Sequence, residues 1–564
     1  MKSINQRGRA QHAKLTTPRA DEILVAPLGG TCQIGSNATL YGHDGKWILV
    51  DLGQSFADEK EQPGVQCFVP DISFAQSLGN NLLGVLITHA HEDHIGALPR
   101  LAKQLGKPIL CSRFAGMLIR EKLREARIES QVELREIAAG KPFELGPFQI
   151  EPIAMTHSTA EPMAFALRTR AGTLLHTGDW KFDPDPLVGP ACDIEALRRL
   201  GNEGVLAMVC DSTNAGVETA APSEAMVRQG LIEAFKGRRG AIAVAAFASH
   251  VGRVRAICEA AAHHGRRVAL IGRSLLRSAD AAKACGYFAG LPDFLDEDQA
   301  SREDPENLVY MVTGTQGEER AALGKLAFGT HPKLSLGDGD TVLMSARCIP
   351  GNEEKVERIL EALRSRGVEI VTPGDVPAEF PIHASGHPGR PDLIRMYEIV
   401  KPRIAIPVHG TIEHLETHAR LARTCGVDKA IVPEDLDLIR ISAADSRVIS
   451  QVKGGILAWD GKVLRSWNPA NAALIAAAAE REAAWRSNHP NNSNVSHGPR
   501  HASRSYGSNG YHRSAASNGR TDGPVSEHNR RHGPGRPKPA GSFAMGSIRA
   551  GRPTSAQAAL NAVP

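Results

Sequence analysis

Three histidines and two carboxylates fall within six positions of one another in Thr88-His89-Ala90-His91-Glu92-Asp93-His94. Four of them, His89, His91, Asp93 and His94, stand at i, i+2, i+4 and i+5. The run follows Leu83-Gly84-Val85-Leu86-Ile87, a short apolar stretch that predicts a buried strand. It precedes Ile95-Gly96-Ala97-Leu98, which opens a helical pattern through Leu101. A strand ending in a tight polar turn projects its side chains into one cleft. Strand periodicity puts His89 and His91 on one face, with Asp93 and His94 further round the turn. Imidazole nitrogen and carboxylate oxygen are the ligands that Zn²⁺ and similar borderline metals take, so this run alone nearly fills one tetrahedral site. The bland alternative is a polar helix start that happens to hold three histidines. The rarity of histidine behind a buried strand counts against it.

Three positions far along the chain extend the constellation. His157 ends Phe148-Gln149-Ile150-Glu151-Pro152-Ile153-Ala154-Met155, Asp179 follows Thr173-Leu174-Leu175-His176-Thr177-Gly178, and His409 ends Arg403-Ile404-Ala405-Ile406-Pro407-Val408. A lone strand-end His or Asp is usually a turn residue or cap. Together with the first run these three give seven ligands, enough for two metals if one carboxylate bridges.

The elements that must position them alternate in two textures. From Glu22 the chain runs in short strands and Gly-rich turns, as in Ile23-Leu24-Val25, Ala38-Thr39-Leu40-Tyr41 and Trp47-Ile48-Leu49-Val50-Asp51. After His94 the order is helix, strand (Ile109-Leu110-Cys111), helix (117–126) and strands again to Trp180. Two sheets with helices outside, an αββα sandwich, fit this order. Within 209–373 the texture becomes regular strand–helix alternation, with apolar runs at Ala241-Ile242-Ala243-Val244-Ala245, Arg267-Val268-Ala269-Leu270-Ile271, Leu308-Val309-Tyr310-Met311-Val312 and Thr341-Val342-Leu343-Met344-Ser345. Buried runs spaced by helices such as 253–263 predict a doubly wound parallel sheet. This α/β unit is therefore read as an insert: a leader at 1–21, a first domain in two parts (22–208 and 374–467) and the insert at 209–373. A hairpin is expected in 456–464, an alanine-rich helix at 468–486, and a disordered tail at 487–564.

The chain has 564 residues, 42% of them hydrophobic, which suits globular cores. Its net charge of +4 conceals an uneven distribution. The stretch 487–564 carries ten Lys/Arg against two Asp/Glu, so everything before it is net acidic by four. That stretch is rich in Ser, Asn, Gly, Pro and Arg and too poor in apolar residues to offset ordering entropy. A cationic arm attracts polyanions. The nine cysteines show no CxxC pair and an odd count, which predicts free thiols in a reducing cytosol rather than a disulfide framework. The first residues lack the apolar centre of a secretory signal, and no run of about 20 apolar residues predicts a membrane span.

With these motifs in order, the chain resembles the ribonuclease J family. Thr88-His89-Ala90-His91-Glu92-Asp93-His94, His157 and His176-Thr177-Gly178-Asp179 look like the signature of the metallo-β-lactamase fold. Asp51 matches that fold's first motif, which orients the metal-binding loop without binding metal. The insert resembles a β-CASP domain. The resemblance is further carried by Cys210-Asp211-Ser212-Thr213-Asn214, Phe247-Ala248-Ser249, Thr315-Gln316-Gly317-Glu318, Ile349-Pro350-Gly351-Asn352-Glu353, His383-Ala384-Ser385-Gly386-His387 and Pro407-Val408-His409-Gly410. It spans about Glu22 to Trp467.

The resemblance implies two Zn²⁺ per chain, with Mn²⁺ or Mg²⁺ as substitutes. One would be held by His89, His91 and His157, the other by Asp93, His94 and His409, with Asp179 bridging. Such a pair suits phosphodiester hydrolysis, in which charge on the phosphoryl oxygens must be neutralised. His387, steadied by Asp211, would act as general acid toward the leaving 3′-oxygen, since imidazole titrates near neutral pH. Its alternative is a supporting contact to the metal of His409. The loop of His383, Ala384, Ser385 and Gly386 would hold a nucleotide phosphate and sense a 5′-monophosphate, with Gly386 permitting close backbone approach. Arg273-Ser274 and Arg347 are weaker contributors. The function implied is an RNA 5′→3′ exonuclease with endonuclease activity, in RNA maturation and decay, cytoplasmic and not membrane-bound.

Departures from the family pattern are Ala90 and Ala97 where glycine is common, and Ser345-Ala346-Arg347-Cys348 in place of a serine-rich stretch that meets phosphate. The basic tail stands where the family has a folded C-terminal domain that supports dimerisation, so the homodimer or homotetramer that the resemblance implies lacks that contact here. Three competing readings are a small-molecule hydrolase on the same metal fold, a DNA-processing β-CASP nuclease, and a catalytically silent RNA-binding scaffold. The insert and the 383–387 loop argue against the first, His409 against the second, and the intact ligand set against the third.

Overall fold

In the computed structural model, residues 17–58, 61–349, 351–468, 471–472 and 475–477 are described. Two mixed sheets pack face to face. The first has eight strands in the order Arg447–Gln451, Asp437–Ile441, Ile23–Gly29, Ala38–His43, Lys46–Val50, Leu82–Leu86, Ile109–Cys111 and Leu134–Glu136. The second has seven: Lys429–Ala430, Ile404–Val408, Ala207–Asp211, Gly172–His176, Met163–Thr169, Phe148–Ala154 and Phe143–Leu145. Along Ile23–Gly29 every residue is buried, because both faces of the sheet are covered. Ile23 and Val25 point inward to meet Phe165, Leu174, Val209 and Ile406 of the second sheet. Leu24, Ala26 and Leu28 point outward beneath the layer that holds Leu98, Leu101, Phe114 and Ile119. Helices Ile194–Glu203, Arg390–Val400 and Ile412–Thr424 cover the far side of the second sheet through Leu197, Leu393 and Leu421. The αββα sandwich predicted from the strand order is thus observed.

The inserted unit is a five-stranded, wholly parallel sheet ordered Arg267–Ile271, Leu308–Val312, Ile242–Ala245, Thr341–Met344 and Glu369–Val371. Chain order reverses at Ile242–Ala245, which makes the sheet doubly wound, as predicted. Its boundary differs from the reading of 209–373. Ala207–Asp211 pairs in parallel with both Gly172–His176 and Ile404–Val408, so it belongs to the second sheet of the sandwich and the insert starts after Asp211. An apolar run reads alike in either sheet, and only its distant partners decide.

Two smaller differences have local causes. The helix expected from Ile95 through Leu101 is two pieces, Glu92–Ile95 and Leu98–Leu105, with Pro99 in the first turn of the second. Proline fits a first turn but cannot sit inside a continuous helix. The leader is partly engaged, since the Pro18 and Arg19 carbonyls accept from the Gly45 and Asp44 amides; residues 1–16 lie outside the described part. The expected hairpin is present as Ile456–Trp459 and Leu464–Ser466, and it joins Cys67–Pro70 and Ser55–Phe56 in a small fourth sheet. Of the helix expected at 468–486, residue 468 is a bend and 471–472 and 475–477 are helical, the rest lying outside the described residues, as does the 487–564 tail. All nine cysteines are free thiols. No helix among the described residues is long and apolar enough to cross a membrane.

Candidate active site

The cleft residues leave the ends of neighbouring strands. Gly172–His176, Ala207–Asp211 and Ile404–Val408 run parallel, with Asp211 opposite Val408, so Asp179, Asp211 and His409 emerge at one end of one sheet. From the facing sheet, Lys46–Val50 and Leu82–Leu86 deliver Asp51 and the 88–94 turn. Asp51 is buried and organises that turn. Its carboxylate accepts from the Thr88 amide at 2.8 Å, the Thr88 hydroxyl at 2.8 Å and His94 Nδ1 at 2.7 Å.

Three imidazoles are each anchored to protein through one nitrogen and turn the other to a common point, where His157 Nε2 also lies 3.4 Å from the Ser158 hydroxyl. The Thr88 hydroxyl donates to Asp51 and so accepts from His89 Nδ1 at 3.0 Å, leaving His89 Nε2 buried without a partner. His91 donates from Nε2 to the Ser158 carbonyl at 3.3 Å, and His157 donates from Nδ1 to the Gly386 carbonyl at 2.6 Å. The remaining lone pairs, His91 Nδ1 and His157 Nε2, face each other at 3.0 Å. Burial holds all three rings below the ordinary imidazole range, His91 at about 4, so they are neutral. Converging neutral lone pairs repel one another and suit a shared cation.

A second group adjoins the first. Asp93, His94, Asp179 and His409 bring their ligand atoms within 4.8 Å of one another. His409 Nε2 is 3.0 Å from Asp93 Oδ2, and His94 Nε2 is 3.2 Å from Asp179 Oδ2. Asp179 Oδ2 also lies 3.7 Å from His89 Nε2 and 3.8 Å from His157 Nε2, between the two groups. Burial opposes charge on Asp93, Asp179 and Asp211, yet the neighbouring histidines hold all three below the usual carboxylate range. Two buried carboxylates, Asp179 and Asp211, with the half-buried Asp93 beside them, require cationic compensation in one cleft. Without a metal, His94 and His409 supply it: burial resists their charge but the surrounding aspartates hold both above the ordinary range. The donor set therefore fits metal, through an orphaned His89 nitrogen, facing lone pairs and an excess of carboxylate.

His387 stands beside this cleft, its ring stacked on His409 at 5.4 Å. Its Nδ1 contacts Asp211 Oδ2 at 2.8 Å. Burial opposes its charge, but Asp211 holds it above the ordinary imidazole value. The rest of the 383–387 loop is pinned from several sides. Ser385 Oγ accepts from the His387 amide and from Asn214 Nδ2 at 2.8 Å, Ala384 is buried, and Gly386 is so close to His157 that a Cβ would sit 2.6 Å from its ring. His383 donates from Nδ1 to the Ser345 carbonyl at 3.3 Å, and burial and Arg253 push it down to about 3. Ser345 is itself buried against Ile382 and does not open on the cleft.

Three contributors were given no role in the reading of the sequence. Asn37 Nδ2 reaches His94 Nε2 and the Asp93 carbonyl, both at 3.1 Å. The Thr213 hydroxyl, 2.8 Å from Asp211 and 2.6 Å from His409 Nδ1, fixes the His409 tautomer. Asn214 ties Ser385 to the His387 carbonyl. Thr213 and Asn214 stand in the Cys210-Asp211-Ser212-Thr213-Asn214 motif that carries the family resemblance, and that motif was the signal that could have found them.

Residues 33–206 match the family model of the metallo-beta-lactamase superfamily, 239–363 that of the "Ribonuclease J, beta-CASP domain", and 376–433 that of the "Zn-dependent metallo-hydrolase RNA specificity domain". Ribonuclease J of Sinorhizobium meliloti is 39% identical over 448 residues, which cover 79% of this chain and 78% of that protein. The chain belongs to the ribonuclease J family. Ribonuclease J of Mycolicibacterium smegmatis is 38% identical over 78% of both chains, and that of Helicobacter pylori 32% identical over 79% of this chain and 64% of its own. A crystal structure of a protein of unknown function from Enterococcus faecalis aligns with a TM-score of 0.53 at 15% identity, over 74% of this chain and all of that one, and shares the fold. As a ribonuclease J family member with this cleft, the chain is a metal-dependent ribonuclease.

Proposed function

We propose that the protein hydrolyses RNA from the 5′ end, prefers a 5′-monophosphate, and also cuts internally. The observation that carries this reading is the 2.6 Å contact between His157 Nδ1 and the Gly386 carbonyl. It holds the anion-accepting loop against the metal-ligand cluster, so a phosphate on the loop and a scissile bond at the cluster belong to adjacent nucleotides. One metal ion would be held by His89, His91 and His157 and a second by Asp93, His94 and His409, with Asp179 between them. Zinc suits this nitrogen-rich set, and Mn²⁺ or Mg²⁺ are its substitutes. Bound there, the metals supply Lewis acidity toward phosphoryl oxygens and water.

The chain's own groups do the rest. Asp211 takes Nδ1 of His387, which leaves the other ring nitrogen to carry a proton into the cleft. That nitrogen donates to the departing 3′-oxygen, and the raised His387 value keeps the proton available near neutral pH. The Ser385 hydroxyl and the loop amides receive the terminal phosphate. A monophosphate fits a closed cradle of this kind, whereas a triphosphate adds bulk and charge. The test uses matched RNAs bearing 5′-monophosphate, 5′-triphosphate or 5′-hydroxyl ends, labelled at either end. Release of mononucleotides from the 5′ label, fastest on the monophosphate, is expected. Equal rates on mono- and triphosphorylated ends would sink the sensing role, and release from the 3′ end would sink the direction.

A further inference from the structure

Three charged side chains with no place in the chemistry above are as fully enclosed as the hydrophobic core around them. Relative exposure is 0% for Arg253, 1% for Lys181 and 2% for Glu224. Buried charges are costly and persist where each is paired and fully hydrogen-bonded. The Arg253 guanidinium grips Glu224 with two parallel bonds, Nε to Oε2 and Nη2 to Oε1, each 3.0 Å. His250 adds a third contact to Glu224 Oε1 at 3.1 Å. Lys181 Nζ lies 3.6 Å from Glu224 Oε1 and 3.0 Å from Asp183 Oδ2, and it donates to the Pro222 carbonyl at 2.9 Å.

Both ends of this chain of contacts reach the active site. At one end, Lys181 is two residues beyond Asp179, and its backbone is tied to Thr156, the neighbour of His157. The Lys181 amide donates to the Thr156 carbonyl at 2.8 Å, and the Thr156 hydroxyl donates to the Lys181 carbonyl at 2.6 Å. At the other end, Arg253 Nη1 donates to the Ser345 carbonyl at 2.7 Å and to its hydroxyl at 2.6 Å. That hydroxyl donates onward to the Ile382 carbonyl at 2.5 Å, and the Ser345 carbonyl receives His383 Nδ1. Ile382 directly precedes the 383–387 loop, and His383 begins it.

We propose that Arg253 and Ser345 are positioning residues that fix how far the phosphate loop stands from the metal-ligand cluster, and thereby set the preference for a 5′-monophosphate. This rests on the monophosphate-sensing reading above. Arginine is required because a planar fork can hold a carboxylate and a carbonyl at once, which an ammonium cannot do in fixed geometry. The loop's far end is held by His157 and Asp211, and the relay meets the loop at its other end, through the Ile382 carbonyl and His383.

The test compares wild type, Ser345→Ala, Arg253→Lys and the double variant. kcat/KM is measured on 5′-monophosphate and 5′-hydroxyl RNAs of one sequence, with metal content and Tm alongside. Each single variant is expected to lower the monophosphate preference about tenfold, with the double variant no worse than either single, as coupled neighbours behave. Activity on 5′-hydroxyl RNA and metal content stay near wild type. Ser345→Ala deletes one hydroxyl and keeps the proposal testable should Arg253→Lys fold poorly. Equal losses on both RNAs would reduce the relay to a structural prop, and an unchanged preference would overturn it. A wild-type enzyme with no preference at all would instead refute the sensing reading itself, before any variant is compared.

Discussion

Among the described residues Asp179 is the carboxylate that faces both ligand groups, with His94 at 3.2 Å on one side and His89 at 3.7 Å on the other. Asp179→Asn keeps the shape but removes the charge that a bridge requires. Metal analysis should show a fall from about two ions per chain, with hydrolysis abolished and far-UV circular dichroism unchanged. Full activity in this variant would remove Asp179 from the bridge. His387 poses a sharper question, because Asp179, Asp211, His387 and His409 also form a group compact enough to hold an ion. A general acid and a ligand differ in readout. As the acid, His387→Ala lowers kcat by about 10²–10⁴ with metal content intact. Loss of metal instead would make it a ligand. At this scale the sequence was informative, because histidine and aspartate at strand ends have few other reasons to cluster. Arg253 and Lys181 were not legible, since arginine and lysine usually lie on surfaces and their burial appears only when the insert packs on the sandwich.

The turn after Lys46–Val50 shows how closely the elements around the site are fitted. The Gly53 amide donates to the Asn37 carbonyl at 2.9 Å, and a Cβ at position 53 would stand 1.6 Å from the Asp93 carbonyl oxygen. No side-chain rotation relieves a clash between two backbones. Gly53→Ala must push the Asp93–His94 turn away, at a cost of about 1–3 kcal/mol, the usual range for overpacking. The expected result is a folded protein of lower Tm that has lost metal and most activity. Wild-type metal content in Gly53→Ala would mean that the turn yields without moving its ligands. The strand and helix pattern was largely readable from apolar runs, including all four strands named for the insert. What escaped was pairing. Ala207–Asp211 finds its partner Ile404–Val408 about two hundred residues later, a relation that no local run encodes. The break between Glu92–Ile95 and Leu98–Leu105 could have been read from Pro99, whose ring excludes it from a continuous helix.

For the whole molecule the decisive feature is uneven charge. The segment 487–564 carries ten Lys/Arg and two Asp/Glu, while the remainder of the chain is net negative. RNA is repelled by an acidic body and attracted by a basic segment, and each phosphate that a cation neutralises releases counterions. Tyr506 and Tyr511 in the same segment can stack on bases without regard to sequence. These properties belong to composition and need no particular conformation. A chain lacking 487–564 is therefore expected to bind long RNA more weakly and with a flatter dependence of log Kd on log salt. The slope should fall by about 0.7 for each lost contact to a single strand. Cleavage of very short substrates, which reach only the cleft, should keep its wild-type rate. The measurement is a salt titration of RNA binding by full-length and shortened proteins on one long and one short RNA. An unchanged slope on the long RNA would show that the cations of the segment meet no phosphate, and its charge would then serve solubility alone.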